Sequence, residues 1–445
     1  MEKRRYGLIT AITMITGVVI GSGIFFKADN VLGSTNGNVM LGVIVFCVAA
    51  IAIVFGCLAI SQLATRTDKP GGLIAYTEEF VGIGLSNSFG WFMTFLYMPT
   101  LAAVVSWVTG IYFSQLFGLE ITLERSTVIG IISLTVLFIL NGLSAKLGGY
   151  FQNASMLIKL IPLLIIAIVG LIAGKPGEVI RTDTDSLGSA MASAGWISAF
   201  APIAFSFDGW IVATSICNEI KNSKRNLPLA LIISPLVILL AYVMYFVGIS
   251  SLVGPDVVLE QGDSSAFTAA TMLFGSLGAK IILVFVVISV LGTVNGLVLG
   301  FIRFPYSLAI RNMLPGSAWL KQENKKLGGM PLNSAILAYL LSIFWMAIHY
   351  ITQRYGMPGD VSEITIGVSY LIYIFLYVAV IRLAMKGEIK GKIKGYVIPV
   401  LATIGSIIIF FGSANHPLFL YYVAVCCIII IAGFVYYKRN KNIIL

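Results

Sequence analysis

Two short stretches place residue types that can do chemistry where plain apolar helix would do none. Residues 20–26 read I-G-S-G-I-F-F, with Gly21, Ser22 and Gly23 inside an otherwise apolar, helix-forming run. Residues 201–210 read A-P-I-A-F-S-F-D-G-W, with Pro202, Ser206, Asp208 and Gly209 inside another. Such residues interrupt the i→i−4 ladder and free backbone N–H and C=O groups. A half-helix starting at Ser22, Gly23 and Ile24 presents unpaired N–H groups and a positive dipole end, which suits a carboxylate. Carbonyls left over at the ends of the preceding half-helix and of the first half of the second run suit an ammonium group. Carboxylate plus ammonium describes a free amino acid, although nucleobases, sugars or ions also fit paired interruptions. The first stretch has a plainer reading, since Gly17 and Gly21 are spaced four apart as in a close-packing helix face.

Three further positions stand out. Lys159, in S-M-L-I-K-L-I-P, lies within an apolar run, where snorkelling to the interface is the plain reading. Ser289 and Thr293, in V-I-S-V-L-G-T-V-N-G together with Asn295, are four apart and share a helix face. They can face a ligand or bond across helices. Asp208 can cap the second half-helix or take part in proton-linked chemistry. His349 and His416 are far apart, and neither H-E-x-x-H, a paired-acid arrangement nor a Ser/His arrangement occurs in the apolar runs, which argues against an enzyme and against a metal site. G-x-x-x-x-G-K-[ST] is absent, so an ATP-driven pump is not indicated, and no cofactor is implied. Cys47, Cys57, Cys217, Cys426 and Cys427 are odd in number and all in apolar stretches, the pattern of packing cysteines.

The elements that must position these residues follow from composition. Apolar residues make up 58% of the 445 and charged residues 11%, too few charges to give a soluble protein of this size its polar surface. Apolar segments long enough to cross a bilayer recur near 7–33, 39–64, 86–116, 127–145, 151–173, 193–217, 228–252, 277–308, 332–351, 361–384, 395–412 and 417–437, giving twelve spans. The basic N-terminal flank lacks a small-residue cleavage site, so span 1 is read as retained. Of the 29 Lys and Arg, 22 fall at the termini and alternate loops, 5 on the opposite side, and Lys27 and Lys159 within spans. That asymmetry places both termini in the cytoplasm and accounts for the net charge of +10 without a nucleic-acid partner. The loop 253–266 carries Asp256, Glu260 and Asp263 and no base, and its continuation S-A-F-T-A-A-T-M-L-F is amphipathic enough for a short helix. An acid such as Asp208 costs about 2.5–3.5 kcal/mol at the centre of a span and marks a functional position by default. The interrupted spans are the first and the sixth, which cross in opposite directions. Two broken helices in equivalent places of two five-span halves point to an inverted-repeat transporter with a midplane site.

The motifs are familiar. G-x-x-I-G-S-G-I-F in span 1, P-G-G-x-x-x-Y at 70–76, F-S-F-D-G-W in span 6 and N-E-I-K-N-S-K-R-N-L-P at 218–228 resemble those of the amino acid–polyamine–organocation superfamily, nearest its bacterial L-type amino acid transporters. The resemblance covers spans 1 to 10, with spans 11 and 12 carrying length and hydropathy only. It implies an all-α leucine-transporter fold: a first repeat at 1–173, an inverted second repeat at 193–384, and two added helices at 395–437. It also implies a sodium-independent antiporter of small neutral L-amino acids such as alanine, serine, cysteine and threonine, in a bacterial cell membrane. Proton-coupled import of the same solutes is the alternative, and Asp208 keeps cationic amino acids or amines in view. By the same resemblance, backbone N–H groups at Ser22, Gly23 and Ile24, beside Gly21, receive the substrate carboxylate. Carbonyls of Val19 and Phe205, near Ser206 and Asp208, receive its ammonium, and the ring of Phe205 is the outer gate, with ordinary packing as its alternative. Lys159 stands where sodium-coupled relatives bind sodium, bridging spans 1 and 5 near Gly21. Animal relatives tether a heavy-chain subunit through a cysteine in the loop after span 3. The loop here, F-G-L-E-I-T-L-E-R-S at 117–126, has none, so no disulfide-linked heavy chain is expected.

Overall fold

A computed structural model describes residues 7–21, 23–67, 72–211, 220–327, 329–357 and 359–444. The chain is all-helical over these residues, and nine of its helices are long and apolar enough to cross a membrane. They fall on nine of the twelve expected spans: Val39–Ala64, Ile83–Leu116, Leu123–Leu143, Ser223–Val253, the stretch to Ile310, Leu332–Arg354, Val361–Met385, Ile393–Gly412 and Phe419–Arg439. The remaining three, spans 1, 5 and 6, are assembled from shorter helices: Leu8–Val19 and Gly23–Ser34, Ala145–Ile158 and Leu160–Ala173, and Phe200–Ser206. Interruption is thus concentrated in three spans, two of them those marked by glycine and proline in the sequence. Span 5 breaks by a single turn residue, Lys159, whose backbone stays in the α region.

Helix irregularities elsewhere have local causes. In spans 3 and 11 a π-turn, Met93–Tyr97 and Ile393–Val397, comes just before a proline, Pro99 and Pro399. Proline offers no N–H to the carbonyl four residues back. In span 3 that carbonyl, of Phe95, instead accepts from the Trp345 indole N–H at 2.8 Å. After Pro305 in span 8, the Ser334 hydroxyl enters the ladder, accepting from Tyr306 N at 3.0 Å and donating to Ile302 O at 2.6 Å. Gly275, at φ 68°, separates the helix from Ser265 from span 8 proper, so the amphipathic stretch 265–274 is helical as its pattern suggests. The polar stretch T-D-T-D-S-L-G-S also forms a helix, Pro176–Ala192, with no counterpart in the sequence reading. It is held by Asp183, whose carboxylate accepts from Val39 N at 2.6 Å and Met40 N at 3.3 Å at the start of span 2. Burial of Asp183 raises its pKa against the lowering effect of these two N–H groups.

Two compact units divide the chain. One comprises Met1–Gly72, Leu157–Val286 and Tyr370–Asn415, the other Leu73–Met156, Val287–Ser369 and His416–Leu445. In the first unit span 7 packs on span 2, on the first half of span 1 and on Leu160–Ala173, while span 11 covers span 2. The seam between spans 5 and 7 is backbone against backbone: a Cβ on Gly170 would lie 2.7 Å from Gly248 O, and one on Gly248 2.9 Å from Ala167 O. In the second unit span 3 packs on spans 4 and 9, and span 12 on the start of span 3. Span 4 shows why such helices need lipid. Val128, Ile132, Val136, Ile139 and Leu143 form an exposed apolar stripe, opposite a face where Gly130, Leu134, Leu137, Phe138 and Asn141 are buried. The mismatch with water identifies an integral, multi-pass membrane protein.

Candidate functional site

The break in span 1 is short and sharp. The first half-helix ends at Val19, and Ile20 leaves the α region at ψ 108° with its N–H still bonded to Thr16 O at 2.8 Å. Gly21 forms a bend and the second half-helix begins at Gly23, so the N–H groups of Gly23, Ile24 and Phe25 are the first of a new helix and have no partner within it. Ser22 lies outside the described residues. Gly21, Gly23, Ile24 and Val19 are all buried.

The break in span 6 mirrors it. Phe200–Ser206 stops where Phe207 drifts to ψ 0°, Phe207 N donates to Ile203 O at 3.0 Å and Asp208 N donates to Phe205 O at 3.1 Å. Gly209 then takes φ 96°, a left-handed conformation that side chains disfavour, before helix resumes at Trp210. Trp210 anchors the far side of the break: its indole N–H donates to Tyr370 Oη at 3.3 Å and its ring meets Tyr373 edge-on at 5.3 Å. Asp208, half-buried, acts electrostatically on Tyr370 of span 10.

The two breaks touch. A Cβ on Gly23 would lie 2.9 Å from Ser206 Cα, 3.3 Å from Phe205 Cδ1 and 3.4 Å from Ser206 Oγ. Only glycine lets the start of the second half of span 1 approach the end of the first half of span 6 so closely. Five of the expected residues, Val19, Gly21, Gly23, Phe205 and Ser206, therefore meet in one place. They are joined by one that the sequence reading missed. Tyr242 of span 7 donates to Ser206 O at 2.8 Å, lies 3.5 Å from Val19 O and hydrogen-bonds with the backbone of Gly21. One phenol thus stitches both interruptions, and its ring packs edge-on against Phe207 at 5.2 Å. Tyr242 sits in A-Y-V-M-Y-F among other aromatic residues, and the only available signal was a hydroxyl at mid-span in need of a partner.

Lys159, 2% exposed, is buried at the joint of span 5 in the same unit. Ser289 and Thr293 belong to the other unit. The Thr293 hydroxyl is used within its helix, donating to Ser289 O at 3.1 Å, whereas the buried Ser289 hydroxyl has no hydrogen-bond partner among the described residues. Asn295 is structural: it donates to Gly148 O and Gln152 Oε1, both at 3.0 Å, and accepts from Asn141 Nδ2 at 2.8 Å. Of the histidines, His349 packs edge-on against Trp107 at 4.8 Å, and His416 accepts Leu418 N at its Nδ1. Cys47, Cys57, Cys426 and Cys427 are free thiols, and Cys217 lies outside the described residues.

Comparison with known proteins agrees with this architecture. The model of the amino acid permease family matches residues 6–440. The serine/threonine exchanger SteT of Bacillus subtilis (strain 168) is 30% identical over 397 residues, covering 89% of this chain and 86% of its own. The human b(0,+)-type amino acid transporter 1 is 27% identical over 98% of this chain and 87% of its own, and the human cystine/glutamate transporter 25% over 85% and 73%. The chain belongs to the amino acid permease family, and is a membrane transporter of amino acids rather than an enzyme.

Proposed function

We propose that this chain is a sodium-independent antiporter of small neutral L-amino acids, among them alanine, serine, cysteine and threonine, working by alternating access in a bacterial cell membrane with both termini in the cytoplasm. The observation that carries this reading is the contact of the two breaks through Gly23 and Ser206. It brings the N-terminal N–H groups of one half-helix beside the carbonyl end of another. The carboxylate of a bound amino acid is received at Ser22, Gly23 and Ile24, its ammonium at Val19 and Phe205 with Asp208 nearby, and Phe205 closes over it. The name of the Bacillus subtilis relative, a serine/threonine exchanger, supports both the exchange mode and the small side chains. The repeats at 1–173 and 193–384 supply the inverted pair, and no heavy-chain subunit is required.

Buried Lys159 is assigned the role of a fixed positive charge in place of a dissociable sodium ion. The test is uptake into proteoliposomes of each of the twenty amino acids, with and without sodium and with and without internal substrate. Antiport predicts uptake of the small neutral set only when internal substrate is present, regardless of sodium. Uptake into empty vesicles would instead favour the proton-coupled importer. Lys159→Ala is expected to lose most of the sodium-independent exchange, and unchanged exchange in that variant refutes the role given to the lysine.

A further inference from the structure

Lys27 is a second buried cation, 3% exposed, and nothing in the reading above uses it. It stands four residues after Gly23 on the second half of span 1, hence on the helix face that meets span 6. Its Nζ lies 5.1 Å from the centroid of the Phe205 ring, within the range of a cation–π contact. The same ring is 3.3 Å, at Cδ1, from where a Gly23 Cβ would sit, so one turn of helix touches the ring at both its ends.

Two acids act on the ammonium. It interacts electrostatically with Asp29, two residues on, and with Asp263 from the loop after span 7. Asp29 Oδ2 accepts from Asn30 Nδ2 at 3.0 Å, while its buried Oδ1 has no hydrogen-bond partner among the described residues. Gly262, at φ 52°, brings the loop so close that a Cβ there would lie 3.3 Å from Asp29 Oδ2. Tyr245 of span 7 feels the charge of the two acids and packs edge-on against Phe25 at 5.4 Å. The buried lysine thus combines an aromatic face at cation–π distance with the field of two nearby carboxylates.

We propose that Lys27 is a positioning residue for the gating ring: its buried ammonium, seated over the Phe205 ring on the helix turn that the 262–263 loop approaches at Asp29, braces the ring that closes over the substrate. This inference rests on the reading of Phe205 as the gate. Phe205 supplies the negative face of its ring quadrupole, and apolar contact with Lys27 would not depend on that face. Closure, and with it the affinity of the occluded state, then depends on the charge at position 27 and on the electron density of the ring at position 205.

The experiment replaces Phe205 by mono-, di- and trifluorophenylalanine, which weakens the quadrupole stepwise with little change of shape. Two quantities are measured for each: the thermal midpoint of the purified, substrate-free protein, and KM and maximal rate of serine exchange in proteoliposomes. A falling midpoint along the series, together with a rise in KM of about 5- to 30-fold at little cost in maximal rate, is the expected result. Both trends should flatten in a Lys27→Met background. A midpoint and a KM that ignore fluorination, or that respond equally with and without the lysine, overturn the inference. If Lys27→Met fails to fold, the fluorination series in the otherwise unaltered protein decides alone. A falling midpoint without serine exchange in any variant leaves the brace standing and removes the gate and substrate reading instead.

Discussion

Replacing Gly23 by alanine puts a methyl group in place of a hydrogen at the point where spans 1 and 6 meet. The new Cβ would sit 2.9 Å from Ser206 Cα, and ordinary van der Waals contact begins at 3.4 Å, so about 0.5 Å must be found. Neither partner can rotate away, because one atom is fixed to its backbone and the other is backbone. The half-helices must part, and the Ser206 carbonyl must move relative to the Tyr242 hydroxyl bound to it at 2.8 Å. Overpacking of this kind costs about 1–3 kcal/mol. Taking the middle of that range, about 2 kcal/mol at 1.4 kcal/mol per decade, the binding-competent arrangement is disfavoured roughly 30-fold. Counterflow of labelled serine into proteoliposomes should show KM raised by about that factor or exchange lost, with a lowered thermal midpoint. Gly7→Ala is the control, since a Cβ there meets nothing within 4 Å. Ser22→Ala should be milder than any enlargement at Gly23, because the serine is assigned a backbone role. Gly23→Ala exchanging at the original KM and rate would falsify the claim that this contact builds the site.

Two other substitutions probe the surroundings. Tyr242→Phe removes one hydroxyl and leaves a buried carbonyl unpaired, a loss of about 1–3 kcal/mol, so exchange should fall roughly 5- to 150-fold with the protein still folded; exchange at the original rate and KM counts against its stitching role. Asn295→Leu strands partners on Asn141, Gln152 and Gly148 in a buried network, and is expected to lower stability by roughly 2–5 kcal/mol. The readout is a drop in thermal midpoint with KM for serine preserved in whatever folds; a changed KM at unchanged midpoint would assign Asn295 to the substrate instead.

Much of this molecule is legible in its sequence because lipid simplifies the code. Val39–Ala64 appears at the expected bounds, since an uninterrupted apolar run in a bilayer can only be helix. The breaks at Gly21–Gly23 and at Asp208–Gly209 are legible for the complementary reason that glycine, proline and aspartate are costly there. What stays hidden depends on partners distant in sequence. Pro176–Ala192 has the composition of a loop, and forms a helix against span 2 through Asp183. Tyr242 is ordinary until two carbonyls, 36 and 223 residues away, are placed beside its hydroxyl. Asn295 looks like a ligand group on one helix and is consumed by spans 4 and 5. Lys27 reads as one more basic residue within a span, and only the placement of Phe205 and of the acids at 29 and 263 gives it a task.

The glycine seam between spans 5 and 7 has a mechanical meaning. With Gly170 and Gly248 seated on each other's neighbouring backbone, those two helices form a single strut whose parts cannot slide without a steric collision. Lys159 stands at one end of the strut, next to the residues where the chain passes from one compact unit to the other, and Tyr242 lies on its length. The registration of lysine to tyrosine is therefore set by main chain, like two marks on one ruler. A methyl group added at Gly170, eleven residues from the lysine, would shift one mark against the other without touching either.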